Sequence, residues 1–108
     1  MALLAQIRRE CASAMSFLEG LDREAFLGDD LKRHGVAMCL IVIAEAAARL
    51  ASSDPAFVAA HPDIRWTAII GMRNRIAHGY HELDFGLVWD TVTAFVPDLL
   101  AKLPSAES

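Results

Sequence analysis

Arg73, Asn74, His78 and Tyr80 are chemically active side chains that stand close together in the sequence. On a helix, residues four apart share a face, so Asn74 and His78 adjoin, and Arg73 completes an arc of about 140°. Arginine offers a planar fork of donors that suits phosphate, and histidine moves protons near neutral pH. Together they could cleave a phosphodiester bond without a metal, because histidine handles the proton while arginine neutralises charge growing on phosphorus.

Each of these side chains also has a structural interpretation. Arg73 is predicted in the middle of an apolar helical stripe, so it must be paired, face a groove or lie at an interface. A salt bridge to Glu45 is the structural alternative for it. His78 alone would cap a helix end, and Tyr80 would close that end by packing, stack on a base or donate to a phosphate. Singly, the structural interpretations are the commoner ones; their combination at one helix end favours catalysis.

Phosphodiester cleavage of this kind needs both an acid and a base, and the stretch supplies one histidine per chain. Thr67 and Gly71 extend the face of Asn74 and His78 with small residues. A symmetric dimer that places two such faces together would supply both histidines. The hydrophobic content of 55% also suggests apolar surface left over for a partner. We therefore predict a homodimer with this face near the two-fold axis.

Length and composition predict one folded domain over residues 1–108. The net charge of −4 excludes a broadly basic nucleic-acid binder, so RNA or DNA contacts would be local. Such contacts would use the pairs Arg73/Arg75 or Lys32/Arg33. The two cysteines, Cys11 and Cys39, are predicted to be buried free thiols, with a disulfide between them as the alternative.

The remaining features predict a cytoplasmic protein without a cofactor. Residues 1–10 do not read as a secretory signal, and the most apolar segment, 36–44, is interrupted by Glu45 and too short to span a bilayer. The other three histidines have no spacing that gathers them into a metal site. We interpret them as surface or capping residues: His34, His61 and His81.

Apolar periodicity predicts an all-α fold, an antiparallel bundle of four main helices plus short helical turns. The expected boundaries come from capping residues, glycines and prolines. They are a first helix ending at Gly20, a turn capped by Asp22, a central helix from Asp29 or Asp30 to about Ser52, a turn starting at Asp54-Pro55, a helix ending at Gly79, a final helix from Asp84 that Pro97 kinks or interrupts, and a frayed tail over about 104–108.

The stretch from Arg73 to Tyr80 resembles the Arg-x4-His-x-Tyr motif of HepT-like proteins in the HEPN superfamily. The resemblance covers nearly the whole chain. Ala44 departs from it conservatively, since the family often has glycine at that position. The other matching segments, in register, are residues 26–29, 43–46, 61–66, 70–72 and 88–99.

The resemblance implies a small helical HEPN-like dimer that is the toxin of a type VII-like toxin–antitoxin pair. It implies a metal-independent endoribonuclease with a composite active site, in which Arg73 and His78 are catalytic and Asn74 is supporting. The implied partner is a minimal nucleotidyltransferase antitoxin that transfers AMP from ATP to Tyr80. The alternative is a non-catalytic HEPN module that binds a nucleotide or a partner, which the acidic charge mildly favours.

Overall fold

The computed structural model describes residues 2–104, and no strand occurs in that range. This confirms the predicted all-α fold. The helices in chain order are α1 (Ala2–Phe17), α2 (Arg23–Leu27), α3 (Asp30–Ser53), α4 (Pro55–Ala60), α5 (Trp66–His78), α6 (Phe85–Asp90) and α7 (Val96–Lys102), with a 3₁₀ turn at Tyr80–Glu82 and a π turn at Thr91–Phe95.

Helix α3 is the centre of the bundle. It begins after Asp29, whose carboxylate accepts a hydrogen bond from the Lys32 amide, and its neighbours α1 and α5 pack along it. Its buried residues lie on several sides of the helix. Helix α3 is long and apolar enough to cross a membrane by length and composition, with a mean hydropathy of 1.7, and half of that window is buried inside the protein. That burial is typical of a core helix.

Helix α1 lies antiparallel to α3. Phe17, at the end of α1, lies against Gly35 near the start of α3, where an added Cβ would be 3.2 Å from the Phe17 ring. The cysteines of the two helices, Cys11 and Cys39, are buried free thiols rather than a disulfide, as predicted. Burial raises the pKa of Cys11 to about 11 and that of Cys39 to about 12. Both thiols are therefore protonated and unreactive at neutral pH.

Pro97 does not end the last helical segment, and the interruption predicted there takes the form of a π turn at Thr91–Phe95 just before the proline. The chain passes from α6 through the π turn into α7, and the Val96 amide donates to the Thr91 carbonyl across five residues. Proline has no N–H to donate to the preceding turn. The missing hydrogen bond therefore falls directly after the π turn, where the helical hydrogen-bonding pattern already changes.

Arg8 of α1 holds the C-terminal end of α7. Its guanidinium donates to the carbonyls of Leu103 and Pro104 at distances between 2.7 and 3.0 Å. Pro104, where the sequence predicted that a frayed tail begins, is therefore held in place. The rest of that predicted tail, residues 105–108, lies outside the described residues.

Aspartates begin the shorter elements, as predicted. The carboxylates of Asp22, Asp54 and Asp84 accept hydrogen bonds from the amides that begin α2, α4 and α6. Helix α2 packs against α6 through aromatic side chains. Phe26 of α2 is fully buried, with its ring centroid 6.4 Å from that of Phe85 and 5.7 Å from that of Trp89.

We predict that Phe26→Ala lowers the free energy of unfolding by about 3–5 kcal/mol, because it removes a buried ring and leaves a cavity. The matched control is Leu31→Ala on the outer side of α3, where Leu31 is 80% exposed. It should change that free energy by no more than about 0.5 kcal/mol. Urea unfolding followed by circular dichroism measures both, and equal effects would contradict the described core.

Candidate active site

Helix α5 carries the predicted chemical residues and is held by a narrow buried stripe. That stripe consists of Trp66, Ile69, Met72 and Ile76. At about 100° per residue, its centre lies roughly 45° away from Arg73. The prediction that Arg73 occupies the middle of the stripe is therefore wrong: Met72, to one side of Arg73, is buried in the stripe, while Ala77, to the other side, is exposed.

Arg73 lies at the edge of the stripe, where α5 meets α3. Its Nη1 is 3.3 Å from Oε1 of Glu45, and the two side chains are 37% and 48% exposed. A pair this exposed contributes only about 0–1 kcal/mol. One contact also occupies only one of the five guanidinium donors. The ion pair therefore orients Arg73 and leaves most of its donors available to an anion.

Asn74 and His78 are exposed on the other side of α5, together with Thr67. Gly71 is half-buried, and nothing lies within 4 Å of the Cβ that another residue would place there. Within the described residues, no other part of this chain occupies the space beside Gly71. The face defined by Thr67, Gly71, Asn74 and His78, here named the small face, is open to another molecule.

Gly79 ends α5, as predicted, because its missing side chain lets the backbone lie close to the preceding turn of the helix. Its φ of −115° is not left-handed. A Cβ at Gly79 would lie 2.9 Å from the Arg75 carbonyl oxygen, closer than real Cβ atoms come. Glycine at this position lets the chain pass directly into the 3₁₀ turn at Tyr80–Glu82. That turn sets the position of the Tyr80 side chain.

Tyr80 meets His34, a residue that sequence reasoning placed at the surface with no role. The Tyr80 hydroxyl is 2.9 Å from Nδ1 of His34, across a sequence separation of 46 residues. The two rings are 5.3 Å apart between centroids. They line a hollow of about 330 Å³, here named the Tyr80 hollow, whose lining residues are Arg33, His34, Tyr80, His81, Leu83 and Phe85.

The chemical residues thus divide into two groups. Arg73 and Tyr80 face α3, while Asn74 and His78 face outward on the small face.

His61 caps α4 through its ring nitrogen and the Phe57 carbonyl, as predicted. Within residues 2–104, no three His, Cys, Asp or Glu side chains come close enough together to hold a metal ion.

Comparisons with known proteins agree on one family. The family model described as Ribonuclease HepT-like matches residues 7–106. A protein named "Probable ribonuclease HepT" from Thermococcus cleftensis is 30% identical over 97 residues, covering 86% of each chain.

Two further relatives carry the name "Putative RNase". One, from Caldanaerobacter subterraneus subsp. tengcongensis, is 27% identical over 96 residues, which cover 89% of this chain and 83% of the relative. The other, from Methanocaldococcus jannaschii, is 29% identical over 98 residues, which cover 91% of this chain and 87% of the relative. No solved structure gives a significant match.

Replacing Gly71 or Gly79 with alanine should change the free energy of unfolding in opposite directions. Gly71→Ala places a methyl group in open space inside a helix and should raise the free energy of unfolding by about 0.5–1 kcal/mol. Gly79→Ala must displace backbone and should lower it by about 1–3 kcal/mol. Urea unfolding of both variants is the measurement. A Gly79→Ala protein as stable as the unmodified one would contradict the described helix end.

Proposed function

The chain belongs to the HepT-like ribonuclease family, and on this basis we propose that it is the RNA-cleaving toxin of a toxin–antitoxin pair. The proposal is carried by the match of the family model to residues 7–106 of this chain. The motif histidine, His78, is exposed at the end of α5, where a substrate can reach it. The proposed activity is metal-independent endoribonuclease cleavage. Arg73 and His78 are the proposed catalytic residues, with Asn74 supporting them.

The proposed chemistry uses the 2′-hydroxyl of RNA as the attacking group. His78 of one subunit takes the hydroxyl proton, and a second copy of His78 gives a proton to the leaving oxygen. Arg73 neutralises the negative charge that grows on the phosphoryl oxygens. The weak Glu45 pair supports this role, because RNA phosphate can replace it at a cost of about 1 kcal/mol or less.

The proposed dimer brings two small faces together. The open space beside Gly71 supports this arrangement. Apolar surface is also exposed nearby: Met38 is 58% exposed, and by helical spacing it lies within about 20° of Glu45 on α3, the residue that contacts Arg73. A second copy of the chain would cover this surface and bring a second His78 to the site.

We predict that His78→Ala and Arg73→Ala each abolish RNA cleavage and growth inhibition. Loss of one well-placed transition-state donor costs on the order of 3 kcal/mol, roughly a hundredfold in rate. The measurement is cleavage of RNA by the pure protein in EDTA. The matched controls are His81→Ala and Arg9→Ala, which remove an exposed histidine and an exposed arginine elsewhere.

The controls should cleave at the unmodified rate. Because Arg73 also contacts Glu45, its variant is interpreted only if its melting temperature is retained. Full toxicity in a folded His78→Ala protein would remove His78 from the mechanism.

For the dimer, we predict that Gly71→Gln leaves the chain folded and makes it monomeric. Glutamine fits the open space in one chain but would obstruct a second chain packed against it. Sedimentation at micromolar concentration measures the change. Ala12→Gln, on the exposed side of α1, is the matched control and should remain dimeric. A monomeric unmodified protein would refute the composite site.

We propose Tyr80 as the point of control by a cognate nucleotidyltransferase antitoxin that transfers AMP to it. Tyr80 follows His78 by two residues, just past the end of α5. An attached AMP would add negative charge just past the end of α5, where it would repel an RNA phosphate that approaches His78.

We predict that co-expression with the nucleotidyltransferase adds AMP to Tyr80 and silences the toxin. Tyr80→Phe keeps the ring packing but lacks the hydroxyl, so it should stay toxic in the presence of the antitoxin. Intact-mass and peptide mass spectrometry locate the modification. Modification at another residue, or complete neutralisation of Tyr80→Phe by binding alone, would show that control works differently.

The second candidate function is a non-catalytic module that binds a nucleotide or a partner at the same helix end. The net charge of −4 favours it, because an acidic protein repels RNA outside local basic clusters. The RNA incubation in EDTA separates the two functions. A binding module would leave RNA uncut with or without His78.

A further inference from the structure

The Tyr80 hydroxyl has a hydrogen-bond partner that belongs to another helix and that the family motif does not include. His34 is on the first turns of α3, and its Nδ1 lies 2.9 Å from the hydroxyl oxygen. His34 is exposed, so a proton that it receives can pass to water. When Nδ1 is the unprotonated ring nitrogen, the hydroxyl donates to it.

The position of His34 is fixed by its neighbours. Arg33, the preceding residue, donates to the Leu27 carbonyl at 2.9 Å and forms an ion pair with Asp30. The guanidinium of Arg33 also lies over the Phe85 ring, 5.1 Å from its centroid. These contacts hold the start of α3 against Phe85 of α6, whose ring lies 5.7 Å from that of Tyr80 between centroids. The hydroxyl and the imidazole therefore meet in a site organised before any partner binds.

We propose that His34 is the general base for modification of Tyr80, a role that rests on the proposed transfer of AMP. A phenol is protonated at neutral pH and is a weak nucleophile until its proton is removed. The phenolic oxygen attacks the α-phosphorus of ATP and forms the new O–P bond. The bond from that phosphorus to the oxygen bridging to the β-phosphate breaks, pyrophosphate leaves with the electron pair, and the phenolic proton passes to Nδ1 of His34.

The Tyr80 hollow provides space for the transferred group on this chain. Its volume of about 330 Å³ adjoins the hydroxyl, and its lining includes the cation of Arg33 and the rings of His81 and Phe85. A positive charge favours the phosphate, and aromatic rings offer faces for a purine. The same hollow that exposes the nucleophile thus accommodates the product.

A chemical probe tests the base without the antitoxin. Tyr80 is the single tyrosine of the chain, so acetylation of a phenol by N-acetylimidazole reports on Tyr80 alone. In that reaction the phenolic oxygen forms the ester bond, imidazole leaves, and the proton again passes to His34. We expect His34→Ala to slow acetylation by about tenfold or more, a conservative figure for loss of a positioned base.

Two further variants separate the base from its surroundings. In His34→Asn the amide oxygen can accept the hydrogen bond but cannot take the proton, so this variant should be as slow as His34→Ala. Arg9→Ala changes an exposed side chain on α1 that does not line the Tyr80 hollow, and this variant should react at the unmodified rate. Melting temperatures must match that of the unmodified protein. If His34→Asn reacts at full rate, His34 only positions the hydroxyl and the proposal fails.

Transfer of AMP is the second arm of the test. With the cognate nucleotidyltransferase, ATP and magnesium, the rate of modification of His34→Asn should fall by roughly a hundredfold, the lower end for general base catalysis. If the protein with its original sequence receives no AMP, the proposed control through Tyr80 is wrong. The acetylation assay would still decide whether His34 activates the hydroxyl. Equal AMP transfer to the unmodified and His34→Asn proteins would overturn the role of His34.

Discussion

The packing of α5 against α3 is the constraint on which the candidate site depends. Alanine side chains on α3, such as Ala44 and Ala47, are fully buried and let neighbouring helices approach closely. Both inter-helix pairs of the site, Arg73 with Glu45 and Tyr80 with His34, form across this one contact. Neither pair is strong enough to create the contact, so the buried apolar stripe places the polar groups.

Much of the fold could be predicted from sequence because its signals are local. Aspartate caps, helix-ending glycines and apolar spacing of three and four residues depend on neighbours within one turn. The predicted starts at Asp22, Asp54 and Asp84 agree with the structure for this reason. Pro97 indicated a kink or an interruption of the last helix, but the sequence did not show that the interruption would be a π turn.

The candidate site was predictable only in part. The motif placed Arg73, Asn74, His78 and Tyr80 on one helix end, and they lie there. His34 was missed because it is 46 residues away from Tyr80 in sequence. The position of Arg73 in the stripe was also missed, since periodicity alone did not show that Met72 would be buried and Ala77 exposed. The rotation of a helix about its axis is set by its neighbours, and no neighbour is visible in a single sequence.

The contact between Arg8 and the end of α7 bears on how the protein folds during its synthesis. Arg8 is synthesised well before its carbonyl partners, which are 95 and 96 residues further along the chain. Contacts of such high sequence separation form last in a chain that emerges from its N-terminus. While α7 is still inside the ribosome, α1 lacks part of its packing and the guanidinium of Arg8 has no carbonyl to hold. The packing of α1 is therefore complete only after α7 has left the ribosome, so the first helix of the bundle waits for the last one.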